Sequence, residues 1–195
     1  MNIGIYIYNN AEVLDFSGPF EVFSTASRLS KPADFFKVFL IAESKEQVKA
    51  RGNYLVFPHY DIHNHPQLDV LIVVGGVHTE EMNKQSVLDW IKHQSKLIQL
   101  TASVCTGAFL LAKADVINNQ TVTTHWEDIA DLKNSFPDLN IEEKRRWIDE
   151  GDIVTSGGIS AGIDMSLHLV SKLYSEELAE QTAKQMEYRW QNQKE

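Results

Sequence analysis

The residue best suited to chemistry is Cys105, the only cysteine in the chain. Residues 97–104 before it predict a buried strand, while residues 107–114 after it predict a short helix of small and apolar residues. A thiol at such a turn lies beside the N–H groups and partial positive charge of the helix N-terminus, which favour a nucleophilic thiolate. The alternative is a cysteine that only packs the end of the strand.

The helix N-terminus alone does not activate this thiol. Its dipole contributes about 0.3–1 kcal/mol, which is less than one pKa unit, whereas a free cysteine has a pKa near 8.5. Asp15 follows the first predicted strand and is the candidate partner, because the carboxyl ends of parallel strands share one edge of a sheet. If Asp15 faces Cys105, it either keeps a proton and donates it to sulfur, or stays ionised and acts as a base. The alternative is a helix N-cap, a common role for Asp.

Two glycine pairs end other predicted strands. The N–H groups of Gly75 and Gly76, together with that of Thr106, are candidates for an oxyanion hole, because glycine lets backbone donors point into a cleft. Gly157 and Gly158 end the predicted hairpin and precede a predicted helix, and Gly158 and Ile159 are candidates to line the same cleft as substrate-binding residues. A plain turn is the alternative for each pair.

His125 ends a strand-like segment, which makes it a candidate base or orienting group for Cys105. A cap or surface role is its alternative. His59, His63 and His65 cluster in sequence, but they share no recognised metal-ligand spacing with a cysteine or carboxylate pair. No phosphate-binding glycine loop is present. We therefore expect neither a metal nor a cofactor.

The elements that position these residues alternate between strand and helix, which predicts a mostly parallel sheet covered by helices on both faces. The predicted strands are residues 3–8, 35–42, 69–74, 97–104 and 120–124, with a hairpin of residues 147–150 and 152–156. The predicted helices are residues 15–29, with Pro19 in or near the first turn, and residues 86–96, 107–114, 126–135, 163–173 and 176–191.

Length, charge and cysteine count indicate the domain organisation, the partners that are disfavoured and the cellular location. The 195 residues suit a single domain spanning 1–195, and the net charge of −9 disfavours binding to nucleic acid or anionic membranes. The longest apolar run, residues 70–77, is too short to span a membrane, and the N-terminus lacks the features of a signal peptide. With one cysteine no internal disulfide forms, so a cytoplasmic location is expected.

Five motifs together resemble the DJ-1/PfpI superfamily and, within it, the isonitrile hydratase branch. They are LDFSGPFEVF (14–23), VVGG (73–76), SVCTGA (103–108), VTTHW (122–126) and TSGGISAGID (155–164). The resemblance runs from residue 3 to about residue 188. The motifs are specific for the superfamily and much less specific for the reaction.

The resemblance implies a flavodoxin-like α/β/α sandwich with a strand–nucleophile–helix turn, usually a homodimer without a metal. It implies that Cys105 is the nucleophile, Asp15 its acidic partner and Thr106 the residue beside it. Isonitrile hydratases add water to a small molecule, R–N≡C, to give an N-substituted formamide. Many DJ-1 relatives carry Glu as the acid, whereas this chain, like the hydratases, has the shorter Asp.

Two other functions stay open. Cys105 is alternatively an oxidation sensor in a stress-response protein with glyoxalase or amidase-like activity, which requires access for peroxide. The chain is alternatively a ligand-binding module like the sensor half of AraC-type regulators. Those regulators carry a helix-turn-helix region after this domain, for which a chain ending at Glu195 leaves no room.

Overall fold

The computed structural model describes residues 1–192 and is built around a seven-stranded sheet. The strands of the described chain are β1 (Asn2–Tyr6), β2 (Lys37–Ala42), β3 (Val48–Lys49), β4 (Leu55–Val56), β5 (Tyr60–Asp61), β6 (Val70–Val73), β7 (Leu100–Val104), β8 (Thr121–Val122), β9 (Asn140–Ile141), β10 (Trp147–Asp149) and β11 (Ile153–Ser156). The main sheet has the order β10-β11-β7-β6-β1-β2-β5. All its pairs are parallel except β10 with β11, so the predicted hairpin is confirmed as an antiparallel edge.

Helices cover both faces of this sheet, which gives the predicted three-layer α/β/α arrangement. The helices are α1 (Val13–Leu29), α2 (Gln85–Ser95), α3 (Gly107–Lys113), α4 (Ile129–Ser135), α5 (Ala161–Leu173) and α6 (Glu176–Gln185). Helices α1, α5 and α6 pack against one another, and α2 packs against α3. Every residue of the central strands β6 and β7 is buried, as expected of strands with both faces covered.

The switch point of the sheet lies between β1 and β6. The chain leaves β1 towards α1 and leaves the neighbouring β6 towards α2, and these helices belong to opposite layers. Connections that diverge in this way open a crevice at the carboxyl ends of the strands, where ligands of such sheets bind. The register aligns the ends of β1, β6 and β7 at this edge, with Tyr6 opposite Val73 and Val73 opposite Ser103.

The first helix differs from its prediction in a way that matters for the site. It begins at Val13, so Asp15 lies inside the first turn and Glu12 occupies the N-cap position. The N-cap alternative for Asp15 is therefore wrong. Pro19 is seventh in the helix rather than in the first turn, and its missing N–H leaves the Asp15 carbonyl without its usual helical donor.

Other boundaries move by a few residues. The predicted strand 120–124 shortens to β8, which pairs with β9 outside the main sheet, because the next N–H, that of Thr123, donates to the Thr155 hydroxyl at 2.9 Å. The last helix ends at Gln185 rather than at residue 191, since Glu187 adopts a left-handed backbone with φ of 50°. None of the helices in residues 1–192 combines the length and apolarity needed to cross a bilayer.

Candidate active site

Cys105 occupies a sharp turn between β7 and α3, held in a left-handed backbone conformation with φ of 56°. Such a conformation is unfavourable for a residue with a side chain and persists only when its surroundings impose it. Hydrogen bonds to both its N–H and its carbonyl group do so here. The Cys105 N–H donates to the Ser156 carbonyl at 3.2 Å, and the Thr124 hydroxyl donates to the Cys105 carbonyl at 2.8 Å. The sequence prediction of a strand–turn–helix at Cys105 is confirmed.

Gly75 allows the loop after β6 to lie directly against this turn. A Cβ atom at Gly75 would lie 2.5 Å from the Thr106 nitrogen and 2.7 Å from the Cys105 Cβ, distances that real side chains do not show. Glycine is therefore required at residue 75 for close approach of two backbones rather than for an unusual φ.

Asp15 is completely buried and joins three parts of the site. Its carboxylate oxygens accept hydrogen bonds from the N–H of Gly75 at 3.2 Å and from the N–H of Ile159 at 3.0 Å. The Cys105 thiol faces this carboxyl group, and each of the two groups shifts the pKa of the other. Burial raises the pKa of Asp15 to about 7, and the Ile159 N–H only partly offsets that effect. The predicted neighbourhood of Asp15 and Cys105 is thus present in the structure.

The Cys105 thiol is not a preformed thiolate. Its side chain is only 6% exposed. Burial, followed by the charge of Asp15, raises the pKa of Cys105 well above its usual value, and the Thr106 N–H opposes this shift without cancelling it. The stabilisation expected from the helix N-terminus is therefore outweighed, because α3 is short and the thiol faces a carboxyl group in a dry site.

The glycine donors considered for an oxyanion hole have partners inside the protein. The Gly75 N–H donates to Asp15, and the Gly76 N–H donates to the Thr106 hydroxyl at 2.9 Å. The same hydroxyl donates back to the Gly76 carbonyl at 3.0 Å. Among the three predicted donors, the Thr106 N–H is the one that acts on the Cys105 sulfur.

His125 shares a cleft with Cys105 and packs against Gly158. A Cβ atom at Gly158 would lie 2.1 Å from the His125 ring, so this close approach also requires glycine. The His125 Nδ1 lies 3.3 Å from a carboxylate oxygen of Asp128. Asp128 was missed by sequence reasoning, although its position three residues after His125 is a usable signal for such a pair. Ile159 completes this wall with a left-handed backbone and a 40% exposed side chain.

Two adjoining cavities open at this edge. One of about 420 Å³ is lined by Cys105, Thr106 and His125, together with Glu12, Arg51, Gly76, Val77, His78, Thr79, Glu127, Asp128 and Ile159. The other, of about 730 Å³, shares His125 and Ile159 with the first and contains Trp126, which is 76% exposed. Across residues 1–192 no three His, Cys, Asp or Glu side chains are grouped to hold a metal ion.

A cysteine turn between a strand and a helix, at the carboxyl edge of a mostly parallel sheet covered on both faces, defines a flavodoxin-like α/β protein. The DJ-1/PfpI family model matches residues 1–172, and the chain belongs to this family. Isonitrile hydratase of Pseudomonas putida is 29% identical over 190 residues, covering 96% of this chain and 78% of that protein.

Regulators are also among the relatives. The HTH-type transcriptional regulator GbdR of Pseudomonas aeruginosa is 26% identical over 178 residues, which cover 91% of this chain. The match spans about half (48%) of the length of GbdR.

Solved structures agree with the fold. A ThiJ/PfpI family protein from Pseudomonas syringae superimposes with a TM-score of 0.85 at 23% identity, covering 96% of this chain and 74% of the other. Drosophila melanogaster DJ-1beta gives a TM-score of 0.83 at 19% identity, covering 97% and 98%. The flavodoxin-like fold implied by the sequence motifs is confirmed.

Proposed function

We propose that this protein is a cysteine-dependent enzyme that hydrates an isonitrile to an N-substituted formamide, with Cys105 as nucleophile and Asp15 as proton carrier. The observation that carries the proposal is the buried pair of a neutral thiol and a facing carboxyl group whose pKa is about 7, next to a cavity of about 420 Å³. The 29% identity to an isonitrile hydratase over nearly the whole chain supports the same reaction.

The first step suits a neutral thiol beside an ionised acid. Sulfur forms a bond to the terminal carbon of R–N≡C, and the thiol proton passes through Asp15 to that same carbon, giving the thioimidate R–N=CH–S–Cys105. Because the carboxyl pKa lies near operating pH, Asp15 both accepts and returns the proton readily. The Thr106 N–H stabilises negative charge that develops on sulfur.

Water completes the second step. Ionised Asp15 takes a proton from water and delivers it to the thioimidate nitrogen, while the water oxygen bonds to the thioimidate carbon. The carbon–sulfur bond then breaks, and the proton of the new hydroxyl group passes through Asp15 to sulfur. R–NH–CHO leaves, so the overall change is the addition of one water. His125, paired with Asp128, is positioned on the cleft to orient this water. Gly76, Gly158 and Ile159 shape the space for the reacting group, and Gly75 orients Asp15.

The organic substituent of the isonitrile extends into the adjoining cavity of about 730 Å³. Trp126 and Ile129 supply apolar surface there, and His125 and Ile159 connect it to Cys105. The reaction requires no metal or cofactor. We further propose that the protein works as a homodimer in the cytoplasm, where a single reduced cysteine is maintained, and that it binds neither nucleic acid nor membranes.

Burial of Cys105 bears on the two alternatives. A 6% exposed thiol with a raised pKa is a poor peroxide sensor, because oxidation proceeds through an accessible thiolate. A ligand-binding module remains the second candidate, since the similarity to GbdR covers 91% of the chain. Such a module would bind a small molecule without turnover.

The test is a formamide assay with a panel of alkyl and aryl isonitriles. We expect turnover by the wild-type protein and a fall of at least about 10³-fold in Cys105→Ala and Asp15→Asn. Asp131→Asn, at an exposed position on α4, is the control for loss of one negative charge. Equal rates in wild type and Cys105→Ala would remove the hydratase proposal, and saturable isonitrile binding without turnover would replace it with the ligand-binding module.

A further inference from the structure

Tyr8 carries a buried hydroxyl group without a hydrogen-bond partner. The residue follows β1 at the same sheet edge as Cys105 and is 3% exposed. Within residues 1–192 no group with suitable geometry hydrogen-bonds to its hydroxyl. Leaving such a group unpaired costs about 1–3 kcal/mol, so each instance calls for an explanation.

The charges of the reactive pair act on this hydroxyl. After burial and the charge of Glu81, the charges of Asp15 and Cys105 raise the pKa of Tyr8, and the Thr106 side chain lowers it as a hydrogen-bonding group. The Thr106 hydroxyl, however, already donates to and accepts from Gly76. The hydroxyl of Tyr8 therefore lies near Thr106, the residue next to Cys105, and no hydrogen bond of suitable geometry ties it to a structural partner.

The ring of Tyr8 is held in place by its surroundings. It stacks on the Tyr6 ring with centroids 6.1 Å apart, and the Tyr8 carbonyl accepts the Ala11 N–H at 3.0 Å in the turn that leads to α1. Burial, and then the charge of Glu81, raise the pKa of Tyr8 well above its ordinary value. The group therefore stays a neutral phenol that donates a hydrogen bond and does not take up negative charge.

We propose that Tyr8 is a positioning residue that donates a hydrogen bond to the negatively charged state of the Cys105–Asp15 pair. The proposal rests on the proposed function in assigning chemistry to this pair. A single negative charge on thiol or carboxyl group is costly in a dry site, and a neutral donor beside it lowers that cost without adding charge. The hydroxyl is unpaired at rest because its partner is the charge that forms during reaction.

Other titratable and charged groups also act on the pair, and a variant that tests Tyr8 must leave them unchanged. The titratable or charged side chains that act on the pair or Tyr8, or that line the adjoining cleft, are Glu12, Arg51, His78, Glu81, His125, Glu127 and Asp128. Tyr8→Phe changes none of them, since it removes one oxygen atom and keeps the ring.

The experiment measures alkylation of Cys105 by iodoacetamide from pH 6 to pH 10. Because Cys105 is the only cysteine, every alkylated thiol belongs to the site. We expect Tyr8→Phe to slow alkylation about 10-fold at pH 8, equivalent to an upward shift of about one pH unit in the profile. Thermal stability should stay constant or rise, because an unpaired buried hydroxyl is removed.

Tyr6→Phe is the matched control. Its hydroxyl is also buried but hydrogen-bonds to Glu81, so the variant should lose stability while its alkylation profile stays within about twofold of wild type. Tyr8→Leu, a second variant without the hydroxyl, should reproduce the slower alkylation if Tyr8→Phe folds poorly.

An alkylation profile unchanged in folded Tyr8→Phe or Tyr8→Leu would overturn the proposal, as would a loss of stability in Tyr8→Phe without slower alkylation. The isonitrile assay tests the proposed reaction independently of the role of Tyr8. Slower alkylation in a protein that turns over no isonitrile supports the role of Tyr8 and removes only the proposed reaction. Turnover with unchanged alkylation and an unchanged pH–rate profile in Tyr8→Phe removes only the role of Tyr8.

Discussion

Asp15 is a carboxyl group held in an environment that opposes its ionisation. Its carboxyl group has no exposure to solvent, and two backbone N–H donors do not compensate fully for the lost hydration. Its pKa of about 7 is high for an aspartic acid, and a pKa near neutrality suits the proton transfer that we propose for this group. The same pKa makes folding depend on pH.

We predict that the protein loses stability as the pH rises from about 4 to about 7. The folded state holds the Asp15 proton up to a pKa of about 7, whereas the unfolded state releases it at the ordinary value of 3.8, so the folded state binds more protons in this window. The stabilisation is complete below about pH 4 and is lost through pH 7, by roughly 4 kcal/mol. Urea unfolding from pH 4 to pH 8 measures it.

Asp15→Asn provides the comparison, because it removes the titration and keeps the size of the side chain. The amide nitrogen of Asn cannot accept a hydrogen bond from either of the two backbone N–H groups, so one of these groups loses its partner. The variant is therefore less stable than wild type by a similar amount at every pH. The informative quantity is therefore the slope of unfolding free energy with pH, which should be shallower in Asp15→Asn than in wild type or the Asp131→Asn control. Parallel slopes in all three proteins would contradict the raised pKa.

Trp126 differs from the buried Asp15 because it is a large apolar residue that is 76% exposed, at the wall of the second cavity. We predict that Trp126→Ala raises KM for aryl isonitriles about 10-fold, the loss expected for about 1.4 kcal/mol of apolar contact, with little change in kcat. Leu97→Ala, at a 62% exposed position outside both cavities, should change neither constant. A fall in kcat with constant KM would exclude Trp126 as a contact for the substituent.

At the scale of elements, the site depends on backbones that touch. The loop after β6, the turn after β7 and the loop after β11 meet at Asp15 through Gly75, Cys105 and Ile159. Cys105 and Ile159 both adopt left-handed φ values of 56°, and each turns its chain sharply at the end of a strand. The loops therefore act as one unit, in which a shift of one displaces the others.

We predict that Gly75→Ala lowers the free energy of unfolding by about 1–3 kcal/mol and removes most of the formamide activity. The added methyl group meets the Thr106 nitrogen at 2.5 Å, and that backbone has little freedom to move. Urea unfolding and the formamide assay measure the two effects. Gly157→Ala is the matched control, because its nearest contacts would be 3.5 Å away, so wild-type values are expected there. A neutral Gly75→Ala would show that the two loops do not touch.

Sequence patterns predict the elements of this site better than its chemistry. The Cys105 turn was predictable because a strand and a helix of small residues follow one another within about two residues, and the strand-end rule placed Asp15 at the same edge. The start of α1 was misplaced because Val13 and Leu14 add a half-turn before the acid.

The electrostatics of the site could not be predicted because they depend on tertiary packing. The thiol pKa is raised by burial and Asp15, and neither the depth of burial nor the facing of the two groups is visible in local sequence. Tyr8 was missed for a related reason. It ends an apolar segment whose period predicts a core strand, and only its unpaired hydroxyl distinguishes it from other core residues.

At the scale of the whole molecule, the candidate site opens beside an apolar surface that we call the hairpin patch. The patch consists of Leu14 on α1 and of Tyr54, Leu55 and Phe57 on or beside the β3–β4 hairpin, with exposures of 36%, 55%, 57% and 67%. The Tyr54 ring packs on Phe16 with centroids 6.5 Å apart, which joins the hairpin to α1. An exposed cluster of this kind is typical of an interface rather than of free surface.

We predict that the wild-type protein sediments at twice the mass of one chain at micromolar concentration, and that Phe57→Glu shifts it to the mass of a single chain. A carboxylate at the centre of an apolar interface loses its hydration without gaining a partner, and each chain already carries a net charge of −9. Leu97→Glu, which adds the same charge at an exposed position outside the patch, should leave the dimer intact. A single-chain mass for the wild type would exclude the homodimer, and a dimeric Phe57→Glu would place its interface elsewhere. Since Arg51 of the same hairpin also lines the cavity at Cys105, a monomeric variant should in addition show altered turnover, which ties assembly to the site.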